Sequence, residues 1–290
     1  MLYKPKGVLI EQMNKLISYW KNSIVNKVLI IIIITWVALA TIFGFTDLAI
    51  SAAVADRDSP WGNFGADYGE APGYGFIAIA IGILIAAAIS KKNEDIHKQK
   101  YPALILSLIF VGVMIYGIID DHQRTAITTG GIGLPLLGFT LITWNKQWSN
   151  WQKFALVIVI LAILNPLLLV QIIKLVWGRV RPRDVLWEGG IFTEWWVING
   201  YTGNQSFPSG HTAMGWMFLP LLILAANRIK ENRSSKNILI AISLSILVLG
   251  WGLFVGMSRV AVGAHYASDA LFSTAFASII TIWLYKRYYK

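Results

Sequence analysis

The chain has 290 residues, of which 56% are hydrophobic and only 14% charged, with a formal net charge of +10 and no cysteine. Soluble domains run to about 45–50% apolar and about 25% charged residues, so this composition belongs to a polytopic membrane protein. The missing cysteine excludes a disulfide framework, a zinc–thiolate cluster and thiol chemistry.

Residues 1–27 carry five lysines, and Leu9, Met13, Leu16, Trp20 and Ile24 recur at helical spacing. That pattern predicts an amphipathic helix on the cytoplasmic membrane face. A cleaved signal peptide is not expected, because the basic segment is long and the apolar run after it has full spanning length with no small-residue cleavage site. The first span is expected over 28–45, since roughly 20 apolar residues cross about 30 Å of hydrocarbon. An acidic loop follows, with Asp47, Asp56, Asp58, Asp67 and Glu70 against Arg57. Spans over 75–90 and 103–119 come next, separated by the basic segment that runs from Lys91 to Lys100.

The segment 128–144 is weakened by Gly130, Gly131, Gly133 and Pro135. Charge parity decides in favour of a span, because acidic residues precede it, Lys146 and Lys153 follow it, and positive loops belong inside. Further spans are expected over 154–176, 213–227, 238–257 and 267–285. The expected fold is therefore an all-α transmembrane bundle of about eight spans with both termini cytoplasmic, the only sensible way to pair backbone polar groups in lipid. Three divisions are expected: the surface segment 1–27, accessory spans over 28–153, and a core over 154–290. Most of the positive charge is then topological, which argues against nucleic acid as a partner. Oligomeric state stays open.

Basic residues that break the topological trend gather at three junctions on the outer side. The first holds Lys174, Arg179, Arg181 and Arg183 around Pro182; the second reads Ser-Phe-Pro-Ser-Gly-His over 206–211; the third holds Arg259, His265 and Asp269. A local need for positive charge where it should be scarce points to an anionic ligand. Lys174, Arg181 and Arg259 supply a point charge and two forks suited to phosphate oxygens. Ser209 and Gly210 sit just before a helix, where free amides favour an anion, and His211 at the helix start can act as general acid. His265 and Asp269 are one helical turn apart. A carboxylate so placed can take the Nδ1 hydrogen and leave Nε2 as base or nucleophile. Singly, each feature also reads as ordinary: snorkelling cations for Arg179 and Arg183, a capped turn at Pro208–Gly210, a satisfied His–Asp pair. His97 and His122 read as solvated. Asp184, Glu188 and Glu194 are scattered and match no metal-ligand spacing, so no metal and no cofactor are expected. The aromatic residues Trp187, Phe192, Trp195, Trp196 and Tyr201 suit a membrane interface.

The spacing Lys174, six residues, Arg181-Pro182, then Pro208-Ser209-Gly210-His211, then Ser258-Arg259, five residues, His265, three residues, Asp269, resembles the three motifs of the type 2 phosphatidic acid phosphatase family. The likeness covers roughly the last 130 residues. The region 178–210 also resembles bacterial lipid phosphatases of the lipid A type. The resemblance implies an integral membrane phosphatase acting on a lipid-linked phosphate or pyrophosphate. It implies that His265 is the nucleophile, that Asp269 orients it and that His211 protonates the leaving oxygen. It further implies phosphoryl binding by Lys174, Arg181, Arg259, Ser209 and the Gly210 amide. The site would lie on the outer or periplasmic face of the inner membrane. Two alternatives stay open from sequence: phosphoryl transfer to another alcohol at the same site, and an anionic-lipid transporter or flippase. The family core commonly has six spans, and this chain carries two more ahead of the first motif.

Overall fold

The computed structural model describes residues 23–290, so the surface helix expected over 1–27 lies, as far as residue 22, outside the described residues. Among the described residues the chain is helical without a strand. Eight segments are long and apolar enough to cross a membrane. The first, α1 (Ile24–Val54), has 31 residues. At 1.5 Å per residue it is about 46 Å long, well beyond the hydrocarbon core. It therefore continues past the expected end at residue 45 and carries Asp47 and Ser51, both fully buried, on the helix itself. A short α2 (Pro60–Tyr68), capped by the Ser59 hydroxyl, leads into α3 (Ala71–Ser90).

Helices α4 (Tyr101–Ile119) and α5 (Gln123–Ile142) form the most closely associated pair. The glycines that weaken 128–144 as a sequence are what close packing of α5 against α4 and α3 requires. A Cβ on Gly133 would stand 2.9 Å from the Phe110 side chain and the Val111 nitrogen, and one on Gly131 would stand 2.6 Å from Ala71. Small residues let membrane helices approach at backbone distance. The end of α5 is held by Lys100, whose fully buried ammonium donates to the carbonyls of Thr143, at 3.1 Å, and of Trp144.

The next span runs through α6 (Gln152–Ala162), a π-helical turn at Ile163–Leu169 containing Pro166, and α7 (Val170–Trp177). After the short α8 (Pro182–Glu188) and an irregular loop come α9 (Gly210–Gly215) and α10 (Pro220–Glu231). The last two are α11 (Ser235–Ala261) and α12 (Ala267–Tyr288). The main apolar core joins α3, α5, α6, α9 and α12 through Ile83, Leu136, Ile158, Leu161, Met214 and Leu284 around Trp148.

The aromatic loop fastens α1 to this frame. Trp195 donates from Nε1 to the Ala40 carbonyl at 2.8 Å and lies 4.7 Å from the Phe272 ring. Trp196 sits so close over Gly44 that a Cβ there would clash with its ring at 2.2 Å. Tyr201 is the most exposed of the five aromatics.

Candidate active site

Each motif sits where a helix starts or stops. Lys174 lies in the last turn of α7, which Gly178 ends in the left-handed conformation, φ 55°. Gly178 also approaches the Gly200 carbonyl so closely that a Cβ would meet its oxygen at 2.1 Å. Arg181 is the N-cap of α8 and is extended, φ −76° and ψ 152°, as its following proline demands. Ser209 caps α9, its hydroxyl accepting from the Thr212 amide at 3.3 Å. Arg259 lies in the last turn of α11, and its carbonyl accepts from the amides of Ala264 and His265 at 3.0 and 3.2 Å. This turn, with Gly263 at φ 65°, carries the chain into α12 with His265 at the junction. The Arg183 amide donates to the Gly263 carbonyl at 2.8 Å, which ties the first motif to the third.

The junctions surround one cavity of about 1130 Å³. Lys174, Arg181, Gly210, His211, Arg259 and His265 all line it. A Cβ on Gly210 would lie 3.5 Å from Lys174 Nζ, so the first and second motifs meet directly. Ser209 and Asp269 do not reach the cavity; both are fully buried behind it. The Ser209 amide donates to the Asp269 carbonyl at 3.2 Å, and Ser273 Oγ donates to the Ser209 carbonyl at 2.7 Å. The Ser209 hydroxyl is engaged with Thr212, so its place in the structure is that of a cap.

His265 is nearly fully buried. Its Nδ1 stands 2.6 Å from the Ser206 carbonyl oxygen and 3.6 Å from Asp269 Oδ2. A carbonyl can only accept, so Nδ1 carries the hydrogen and Nε2 the lone pair. The sequence expectation gave that hydrogen to Asp269; the structure gives it to a backbone carbonyl of the second motif, with the Asp269 charge close behind. His265 lies in the connection between α11 and α12, outside the spanning segments. Burial pushes its pKa down to about 4, against the upward pull of Asp269. The imidazole is therefore neutral at pH 7.

Asp269 is occupied elsewhere. Its Oδ1 accepts from Arg179 Nη1 at 2.6 Å, and its Oδ2 from Ser206 Oγ at 2.6 Å and the Tyr266 amide at 2.9 Å. Arg179, which sequence reasoning left as a snorkelling cation, is fully buried. It also donates to Asp47 Oδ2 at 2.9 Å, Ser268 Oγ at 2.9 Å and the Thr193 carbonyl at 2.9 Å, and its guanidinium lies 4.0 Å from the Tyr266 ring centre. Asp47 in turn accepts from the Ser268 amide at 3.0 Å. A carboxylate buried in a membrane helix is costly unless paired, and Arg179 and Ser268 are the partners that make Asp47 tolerable there.

Glu70, also assigned to an outer loop from sequence, lines the cavity. Its Oε1 is 3.2 Å from His211 Nδ1 and its Oε2 accepts from Tyr74 Oη at 3.1 Å. Arg57 lies 4.2 Å over the Trp187 ring at the cavity rim and 3.8 Å from Glu188. His122 stands 3.0 Å from Asp120 near the surface and does not line the cavity. No group of three or more His, Asp or Glu side chains able to hold a metal ion occurs among the described residues.

Residues 155–290 match the PAP2 superfamily. Phosphatidylglycerophosphatase B of Haemophilus influenzae is 35% identical over 87 residues, 29% of this chain and 34% of that protein. Lipid A 1-phosphatase of Rhizobium etli is 30% identical over 123 residues, 41% of this chain and 46% of the relative. Lipid A 4'-phosphatase of Francisella tularensis subsp. novicida is 32% identical over 161 residues, 54% of this chain and 67% of the relative. The chain thus spans between 34% and 67% of the length of these relatives. No solved structure matches it. Because the matched region carries every motif residue around the cavity, and one relative is followed along two thirds of its length, the chain belongs to the PAP2 superfamily, the family of type 2 phosphatidic acid phosphatases that its motifs resemble.

Proposed function

We propose that the chain is an integral membrane phosphatase that removes a phosphate or pyrophosphate end from a lipid through a phosphohistidine on His265, without a metal ion. The hydrogen bond from His265 Nδ1 to the Ser206 carbonyl carries this reading. It leaves Nε2 unprotonated on a residue that lines a cation-rich cavity. Nε2 attacks phosphorus while the bond from phosphorus to the lipid oxygen breaks. Lys174, Arg181, Arg259 and the Gly210 amide meet the charge on the phosphoryl oxygens, as fixed donors do without reorganisation. Ser209 serves this cradle by capping the turn that presents Gly210. His211 passes a proton to the departing oxygen. A water then attacks phosphorus, gives its proton to His211, and the phosphorus–nitrogen bond breaks to free phosphate. Asp269 steadies the imidazole as it turns cationic. Metal independence rests on these cations filling the charge-neutralising role that an ion would otherwise take.

The reading treats 154–290 as the catalytic core and 28–153 as accessory spans that reach into it. It sets the site at the outer face of the inner membrane, with both termini inside. The support is the distribution of charge: Lys153, Arg228, Lys230, Lys236, Lys286 and Arg287 lie at the ends of the spans opposite to those that carry the motifs. The printed activities of the relatives make phosphatidylglycerol phosphate and lipid A the first substrates to try, beside phosphatidic acid and a polyprenyl pyrophosphate.

The test is phosphate release from that panel in detergent with EDTA present. Wild type is expected to release phosphate from at least one lipid and to form an acid-labile, base-stable phosphoenzyme; His265→Ala is expected to do neither. Activity surviving in His265→Ala removes the nucleophile. Loss of wild-type activity in EDTA, restored by a divalent ion, removes the metal-free mechanism. Lipid movement in vesicles without release of phosphate turns the reading toward transport.

A further inference from the structure

Glu70 lies outside the matched region 155–290, on the residue just ahead of α3. We propose that Glu70 is a positioning residue of the leaving-group step: its carboxylate holds the Nδ1 hydrogen of His211 and stabilises the imidazolium whose Nε2 hydrogen goes to the departing oxygen. The inference rests on the mechanism above.

The physical need is plain. A general acid at this position must be an imidazolium. Yet His211 is faced by Lys174 of α7, Arg181 of α8 and Arg259 of α11, and stands near His265. A cation placed among cations that bind phosphate is unfavourable unless a carboxylate faces it. Glu70 Oε1, at 3.2 Å from Nδ1, is that carboxylate, while Asp269 is committed to Arg179, Ser206 and Tyr266. Tyr74 Oη, donating to Oε2 at 3.1 Å, turns the other oxygen toward His211. Arg124 and Tyr74 also stand close to Glu70, and Asp67 lines the same cavity.

The pairing is built into the backbone. Gly73, in the first turn of α3, lies so near α9 that a Cβ would stand 2.8 Å from the Met214 carbonyl oxygen. The helix that bears His211 and the turn that bears Glu70 are thus held in contact. Glu70 itself neither gives nor takes a proton in the cycle. The proton moves from His211 Nε2 to the leaving oxygen in the first half-reaction and from water to His211 Nε2 in the second. Glu70 favours the cationic form in both.

The test uses the full chain in detergent and compares Glu70→Gln, Glu70→Asp and Tyr74→Phe on two soluble substrates, p-nitrophenyl phosphate and a short alkyl phosphate. The first has a leaving group that needs no proton; the second has one that does. General acid assistance contributes on the order of 10²–10⁴-fold. Glu70→Gln is expected to lower kcat/KM for the alkyl phosphate by about 30-fold or more and for p-nitrophenyl phosphate by less than about threefold, as loss of part of that assistance implies. Its alkaline limb on the alkyl substrate should shift to lower pH. Glu70→Asp should recover part of the loss, and Tyr74→Phe should show the same selectivity more weakly. Turnover of the nitrophenyl ester reports that the variant is folded. Equal losses on both substrates, or none on either, overturn the role of Glu70 while His265→Ala remains dead on both. Activity of His265→Ala on both substrates overturns the underlying mechanism, and the inference with it.

Discussion

Arg179 and Asp47, 132 residues apart in sequence, meet at 2.9 Å with both side chains fully buried. Through the same guanidinium Asp47 is joined to Asp269, which accepts from Arg179 at 2.6 Å. Helix α1 thereby anchors the carboxylate that stands behind His265. Removing one partner of a buried ion pair costs about 3–5 kcal/mol, because the other is left charged in a dry environment. Asp47→Ala leaves Arg179 its second carboxylate, so a loss near the lower end, about 3 kcal/mol, is expected. Arg179→Ala strands two carboxylates and should be the more severe change. Arg179→Lys keeps the charge and loses the fork that spans Asp47, Ser268 and Asp269. It should fall between the two in thermal unfolding of the detergent-solubilised protein. A lysine variant as stable as wild type would remove the fork from this account.

The neutral state of His265 has a pH signature. Its folded pKa of about 4 lies below the ordinary histidine value, about 6.5 in an unfolded chain. The unfolded chain then binds more protons at acid pH, so stability falls as pH drops through 6.5 and levels out below 4. The total is on the order of 3 kcal/mol at 1.36 kcal/mol per pH unit. His265→Gln should lose that part of the acid dependence. In the wild type, the histidine resonance absent from His265→Gln should titrate near 4 in an NMR series. A midpoint at or above 6.5 would mean that the ring is not held as the neutral Nδ1–H tautomer.

Lys100 looks topological in the sequence, one more basic residue in a cytoplasmic segment. It is fully buried and donates to the Thr143 and Trp144 carbonyls at the end of α5. Lys100→Met keeps much of the stem and removes the donor; the Thr143 carbonyl keeps the Lys146 amide at 2.9 Å, while the Trp144 carbonyl loses the ammonium, at about 1–3 kcal/mol. The melting temperature should fall while turnover of p-nitrophenyl phosphate per folded molecule, the readout of the proposed activity, is unchanged, since Lys100 does not line the cavity. A variant that melts with wild type would return Lys100 to the role of orientation signal.

The spans and the three motifs were legible because each is encoded locally. Apolar runs of spanning length and a Lys–Arg, Ser–Gly–His or Arg–His–Asp spacing need no knowledge of a distant partner. Even the doubtful segment around Gly130–Pro135 yielded to charge parity, although its glycines read as a weakness and are the contact surface for α3 and α4. What the sequence hid was long-range pairing. Asp47, Glu70 and Arg179 have no local feature that separates them from a solvated loop or a snorkelling side chain, and their meaning comes from partners on other helices. The Nδ1 contact of His265 was hidden for another reason: the acceptor is the Ser206 carbonyl, and backbone acceptors leave no mark in composition.

The contact between α3 and α9 offers a way to disturb Glu70 without touching its chemistry. A methyl group on Gly73 would stand 2.8 Å from the Met214 carbonyl oxygen and 3.1 Å from the Met214 methyl. The side chain can swing aside, but the carbonyl belongs to the backbone of α9, so α3 must move away. Glu70, three residues earlier, moves with it and its 3.2 Å contact to His211 opens. Gly73→Ala should then reproduce the substrate selectivity of Glu70→Gln in milder form. A fall of about tenfold in kcat/KM for the alkyl phosphate is expected, a partial loss of acid assistance, with little change for p-nitrophenyl phosphate. Combining Gly73→Ala with Glu70→Gln should add little, because the second change removes what the first displaces. Fully additive losses would mean that Gly73 acts on the site by a route other than Glu70.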